Sequence, residues 1–146
     1  MRWSALCRPP PALGVLGAAR RWLASPVPKV GQLHTVDAVL RAHEQHAAAM
    51  KPINLSACWG TLGKLVRKDP RERGSLRAEL CAGPALQPLL ASTLGALPSF
   101  GARHVANTTH GLALVTKWTA FDAGGDTWER LARQAVDCLG DASAQN

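Results

Sequence analysis

The sequence predicts an all-α fold, and three observations carry that reading. Ala and Leu dominate, β-branched residues are thin and Tyr is absent, a bias toward helix over sheet. Apolar residues recur at steps of three and four through most of the chain, and no segment alternates with the period of two expected of strands. Pro, Gly and Asp interrupt these stripes at short intervals, where helices of ordinary length should stop and start. A chain of 146 residues suffices for one domain with a modest core, or for a few repeats.

The first helix is expected over Thr35–Met50, with Val36, Val39, Leu40, His43, Ala47 and Met50 on one stripe and Pro52 as its stop. Asn54 is the expected N-cap of the second, LSACWGTLGKLVRK, whose buried side holds Leu55, Cys58, Trp59, Leu62, Leu65 and Val66. Gly60 and Gly63 are costly inside a helix, and close approach of a neighbouring backbone would account for them. Asp69-Pro70-Arg71-Glu72 has the form of a helix start, with Ser75 as an alternative start for the segment ending near Ala82. Pro84 opens a stripe of Leu86, Leu89, Leu90, Thr93, Leu94 and Leu97 that ends at Pro98. The stretch Phe100–Val115, FGARHVANTTHGLALV, should form a helix reaching about Trp118, apolar behind (Val105, Leu112, Val115) and polar in front (Arg103, Asn107, His110). After a Gly124-Gly125 loop, Asp126-Thr127-Trp128-Glu129 forms a second capping box, and the last helix, Thr127–Leu139, closes at Gly140.

The formal charge of +7 suggests nucleic acid until it is mapped. Residues 1–36 hold Arg2, Arg8, Arg20, Arg21 and Lys29 with no acid, a net +5, so the remainder carries only +2. Residues 1–34, basic, acid-free and rich in Ala, Leu and Pro, have the composition of an organelle presequence, with RRWLAS suggesting removal near Ala24–Ser25. The apolar run Leu13–Ala19 is too short for a secretory core, and no run approaches a membrane span. The expected organisation is therefore a targeting segment over 1–34, disordered, and a helical domain over 35–146.

Self-comparison suggests that this domain is repetitive. Gly83–His104 aligns without gaps on Gly125–Asn146 at an offset of 42, pairing Gly83/Gly125, Leu89/Leu131, Leu97/Leu139 and Ala102/Ala144. Leu86/Trp128 and Leu94/Val136 keep the apolar stripe. LSACWGTLGKLV likewise resembles VANTTHGLALV, at an offset of 50. Antiparallel helix pairs with a period near 40 residues are the pattern of an α-solenoid. The copy breaks off at Ala144-Gln145-Asn146, so the domain is expected to be a fragment of a longer array, truncated at its C-terminus.

INLSACWGTLGKLV and FGARHVANTTHGLALV resemble the conserved helix of the octatricopeptide-repeat proteins. The same helix occurs in the FAST-kinase-like and RAP-domain proteins of mitochondria and plastids, and in RNA-editing-substrate-binding-complex-type helical repeat domains. The likeness is carried by Ala106-Asn107, Gly111-Leu112-Ala113 and Trp59-Gly60 with Leu62-Gly63-Lys64-Leu65, and covers roughly residues 35–146. His110 stands where the family usually has Trp, and the first copy has one extra residue after its Trp. No RAP-like domain is read in these residues, so no nuclease activity is implied. The resemblance implies binding of single-stranded organellar RNA, in RNA processing, stability or editing, in the mitochondrial matrix or alternatively a plastid. Other subunits of an organellar ribonucleoprotein are further partners it implies.

Nothing in the sequence supports an enzyme. His43-Glu44-Gln45-His46 spaces its histidines three apart, not the four of a zinc-binding HExxH helix, and reads as surface histidines. Cys7, Cys58, Cys81 and Cys138 have no C-x-x-C spacing, and phosphate-binding and nucleophile-elbow motifs are absent. No metal or cofactor is expected. For RNA, Lys64, Arg67, Lys68, Arg71, Arg73 and Arg77 form a basic cluster that could contact phosphates or simply be a solvated loop. Arg103, Asn107 and His110 are the candidate base-reading positions, with Asn54 and Lys64 their first-copy counterparts. Local capping by Asn107 and an ordinary helix role for His110 are the plainer readings. Residues 78–146 carry more acid than base, which favours the alternative function: a protein–protein scaffold in an organellar complex such as the mitochondrial ribosome.

Overall fold

The computed structural model describes residues 26–144, and all regular structure among them is helical. Six α-helices follow in order: α1 (Val36–His46), α2 (Pro52–Lys68), α3 (Pro70–Ala82), α4 (Gln87–Ala96), α5 (Ala102–Trp118) and α6 (Gly125–Ala144). Short 3-10 turns cover Val30–Gln32, Ala47–Ala49 and Leu97–Ser99. No single described helix is long and apolar enough to cross a membrane. Residues 1–25 of the targeting segment expected over 1–34 lie outside the described residues. Residues 26–34 do not behave as a tail: Val30 is buried in the core and its carbonyl accepts from the Thr61 hydroxyl at 3.4 Å.

Two pairs of elements repeat with the same internal layout. The turn Ala47–Ala49 leads through buried Met50 to the cap Lys51 and the 17-residue α2; fifty residues on, Leu97–Ser99 leads through buried Phe100 to Gly101 and the 17-residue α5. Both helices start with the same device, a side chain at the third position that reaches back to the cap residue's N–H. Asn54 Oδ1 accepts from Lys51 N at 3.0 Å, and His104 Nδ1 accepts from Gly101 N at 3.2 Å. Asn54 therefore sits inside the first turn rather than at the cap, because Pro52 is well suited to open a helix two residues earlier.

The most extensive helix contact is α2 against α5. Trp59 and Gly60 meet Gly111, and Gly63 meets Gly111 and Leu114. At the far end, Arg73 donates to the Val66 and Arg67 carbonyls at 2.8 and 3.2 Å and lies 4.3 Å over the Trp118 ring. The helices thus run side by side in the same direction. A Cβ on Gly111 would overlap the Trp59 carbonyl, and one on Gly63 would come within 2.9 Å of the Gly111 oxygen, so glycine permits this approach. The space beside Gly60 is open, so only one of the two suspected glycines is explained by crowding of its own Cβ.

Trp59, fully buried, is the centre of the core. Its indole N–H donates to Thr93 Oγ1 at 2.9 Å, that hydroxyl donates to the Leu89 carbonyl, and Phe121 stacks on the ring at 6.2 Å. Leu55, Leu62, Leu76, Leu86, Leu89, Leu112 and Val115 complete the layer in which α1, α3, α4 and α6 surround the central pair. A buried indole with its donor satisfied adds both apolar area and a directional constraint.

The remaining boundaries depart from the expected ones in ways tertiary contacts explain. Asp69 caps α3 by accepting from Arg71 N, and the helix passes through Gly74-Ser75 without restarting. Its Glu72 does not reach back to Asp69 but accepts from Val36 N at 2.7 Å, joining Thr35 in capping α1. α4 starts at Gln87, after Pro84. α6 begins at Gly125, on a loop where Gly124 has φ +80°, and continues through Gly140 to Ala144. Three contacts fasten it: Arg130 to the Leu94 carbonyl, and Gln134 and Cys138 to the Phe100 carbonyl.

Candidate nucleic-acid interface

The direction of α2 and α5 decides which side chains share a surface. On α2, Leu62 and Val66 turn from the Gly63 contact into the core, so Lys64, Arg67 and Lys68 turn the opposite way. On α5, Leu112 and Val115 enter the core from Gly111, leaving Arg103, Asn107, His110 and Lys117 on the other flank. For two helices lying in the same direction these flanks meet on one face. All seven residues are exposed.

Neither helix carries an Asp or a Glu. The ten acids of the chain all lie elsewhere, on α1, α3, α6 and the connecting loops. Asp37, Glu44 and Glu79 line a separate groove of about 480 Å³, together with Arg41, which pairs with Asp37 at 3.0 Å. The acids that give residues 78–146 their negative balance lie on α3, on α6 and in the loop before α6, not on α2 or α5. Charge is sorted by helix, a pattern averaging over sequence windows conceals.

Lys64, Arg67, Lys68, Arg103, Asn107 and His110 are thus brought together, and Lys117, which sequence reasoning passed over, joins them. The acid-free composition of the two 17-residue helices is the signal that would have found it. Asn107 makes no helix cap, lying in the second turn of α5. Arg71 and Arg77 are exposed but belong to α3. Arg73 is half-buried and engaged with the end of α2 and with Trp118, a capping role rather than a surface one. Asn54 is engaged in its cap.

The histidine pair of α1 is not a surface pair. His43 is buried and hydrogen-bonded to Ser92 Oγ at 2.9 Å, and burial pushes its pKa below the usual 6.5. Cys58 is buried and its thiol is pushed up to about 12 by desolvation, so it packs as a small apolar group. Among the described residues no cluster of three or more His, Cys, Asp or Glu could hold a metal ion.

No family model, curated protein or solved structure matches this chain.

Proposed function

We propose that the chain is a non-catalytic RNA-binding helical-repeat unit of an organelle, in which α2 and α5 are inner helices of successive α-solenoid repeats. The observation that carries the reading is the acid-free, exposed face those two helices share. Lys64, Arg67, Lys68, Arg103 and Lys117 offer five cations to a phosphate backbone, whose counterions are released on contact. Asn107 can pair with a base edge and His110 can stack on an unpaired base, chemistry suited to single strands rather than to the deep groove of an RNA duplex. The basic, acid-free N-terminal composition favours the mitochondrial matrix, with a plastid as the alternative, and RNA processing, stability or editing as the setting.

The test is fluorescence anisotropy of single-stranded RNA with the full chain at a series of salt concentrations. Each phosphate contact contributes about 0.7 to the slope of log affinity against log salt, so Lys64→Ala with Arg67→Ala and Arg103→Ala should lower the slope by about 2. Asn107→Ala should weaken some sequences and leave others alone. Absence of binding at low salt overturns the reading.

A further inference from the structure

We propose that the groove between α1, α3 and the start of α4 is a binding site for a small organic dication, of the class of an aliphatic diamine. Its volume of about 480 Å³ lies within the roughly 300–1,000 Å³ typical of small-molecule sites. Glu44 reaches it from α1 and Glu79 from α3, with Leu40, Ala47 and Pro88 as apolar wall. No residue of α2 or α5 lines it, so it is separate from the face assigned to RNA.

Two independent features point to the ligand. The first is unbalanced charge. Arg41 is committed to Asp37 at 3.0 Å, whereas Glu44 and Glu79 have no ion pair or hydrogen bond among the described residues. Two carboxylates therefore face one cavity without a cation of their own, and an entering cation relieves their repulsion.

The second is His43, a buried ring that is only 5% exposed and lines the same groove. Its Nε2 is bonded to Ser92 Oγ at 2.9 Å, but its Nδ1 has no partner among the described residues. That nitrogen is accessible rather than sealed in the core. With Nε2–H donating to Ser92, Nδ1 offers a lone pair to the cavity, and burial keeps the ring neutral by pushing its pKa below the usual 6.5. A ring nitrogen so deeply placed calls for a donor, and the described chain supplies none.

These acceptors define the class. A group that only donates, an ammonium or a guanidinium, satisfies carboxylates and a histidine lone pair together. A metal ion does not fit, since among the described residues no three His, Cys, Asp or Glu come together to hold one. Carboxylates on facing helices, with aliphatic wall beside them, match two ammonium ends joined by methylenes: each end takes one carboxylate while the chain lies on Leu40 and Ala47. A basic side chain of a peptide shares this chemistry, but a single Lys or Arg answers only one of the two carboxylates.

The experiment titrates 1,5-diaminopentane into the full ¹⁵N-labelled chain, without RNA, at about 0.15 M salt so that loose surface attraction is screened. The expected result is saturable shifts at Leu40, His43, Glu44 and Glu79, with the His43 Nδ1 resonance moving as its lone pair accepts a hydrogen bond. Glu44→Gln and Glu79→Gln, exposed positions whose amides keep the side-chain shape, should each weaken binding by about tenfold. Glu129→Gln on α6 should leave it unchanged. Pentylamine, the same chain with one charge, should bind about tenfold more weakly. No saturable shift up to about 10 mM, equal affinity for pentylamine, or binding indifferent to both groove variants would overturn the proposal. So would an arginine-rich peptide that shifts the groove residues where the diamine does not.

Discussion

Gly111 sets how closely the two central helices approach. Replacing it with Ala forces a methyl group into the Trp59 carbonyl, so Gly111→Ala should separate α2 from α5 and lower stability by about 2–3 kcal/mol, read from the denaturant midpoint. Gly60, on the same stretch of α2, has open space at its Cβ, so Gly60→Ala should raise stability by about 0.5–1 kcal/mol through helix propensity alone. A glycine inside a helix announces a constraint without naming its neighbour, which is why sequence reading paired Gly60 with Gly63 when the partners are Gly63 and Gly111. His43 offers a second residue-level test. Its folded pKa lies below the usual 6.5, so the unfolded chain binds more protons as the solution is acidified past that value. The contribution is complete above about pH 6.5 and is lost as pH falls toward the folded pKa. Thermal midpoints measured at neutral and mildly acidic pH should drop on acidification, and His43→Gln should reduce that drop.

Helix ends in this molecule are fastened by neighbouring elements as much as by their own caps. Glu72 of α3 caps α1, and Arg73 of the same helix closes the end of α2 while lying on Trp118 of α5. One short helix thereby fixes three others, although most of its own surface is solvated. Arg73→Ala should cost about 1–2 kcal/mol in chemical denaturation, and Arg73→Lys should recover little of it, since an ammonium cannot reach two carbonyls and stack on an indole together. Sequence pattern located every helix, by an apolar stripe or a start signature, but of the caps it named only Asp69 holds: Lys51 rather than Asn54 caps α2, and α6 starts ahead of Asp126. It misplaced the ends of α1, α4 and α6, because Pro98 and the alanines after His46 tighten into 3-10 turns whereas Gly140 is carried by a helix held at Phe100.

Across the whole molecule, sorting of charge between helices matters more than net charge. Windows drawn along the chain mix the acid-free α5 with the acidic α6, and so assign a negative balance to a region whose exposed central helix is wholly basic. Arg103, Asn107 and His110 were readable as the polar side of an amphipathic helix. That they share a surface with Lys64 and Arg67 was not, since it depends on the direction in which two helices fifty residues apart lie against each other. His43 stands on the apolar stripe of α1, which pointed to its burial, but its hydrogen-bond partner was out of reach, because Ser92 comes from α4. The shared face is the core of the functional account, and charge reversal tests it most directly. Binding of single-stranded RNA is measured for Lys64→Glu with Arg103→Glu, one change on each central helix, beside Arg41→Glu with Arg133→Glu, which make the same charge change on α1 and α6. The expected result is loss of binding by about tenfold or more in the first pair alone. Equal losses in both pairs, or no loss in the first, would contradict a single RNA-binding face built by α2 and α5.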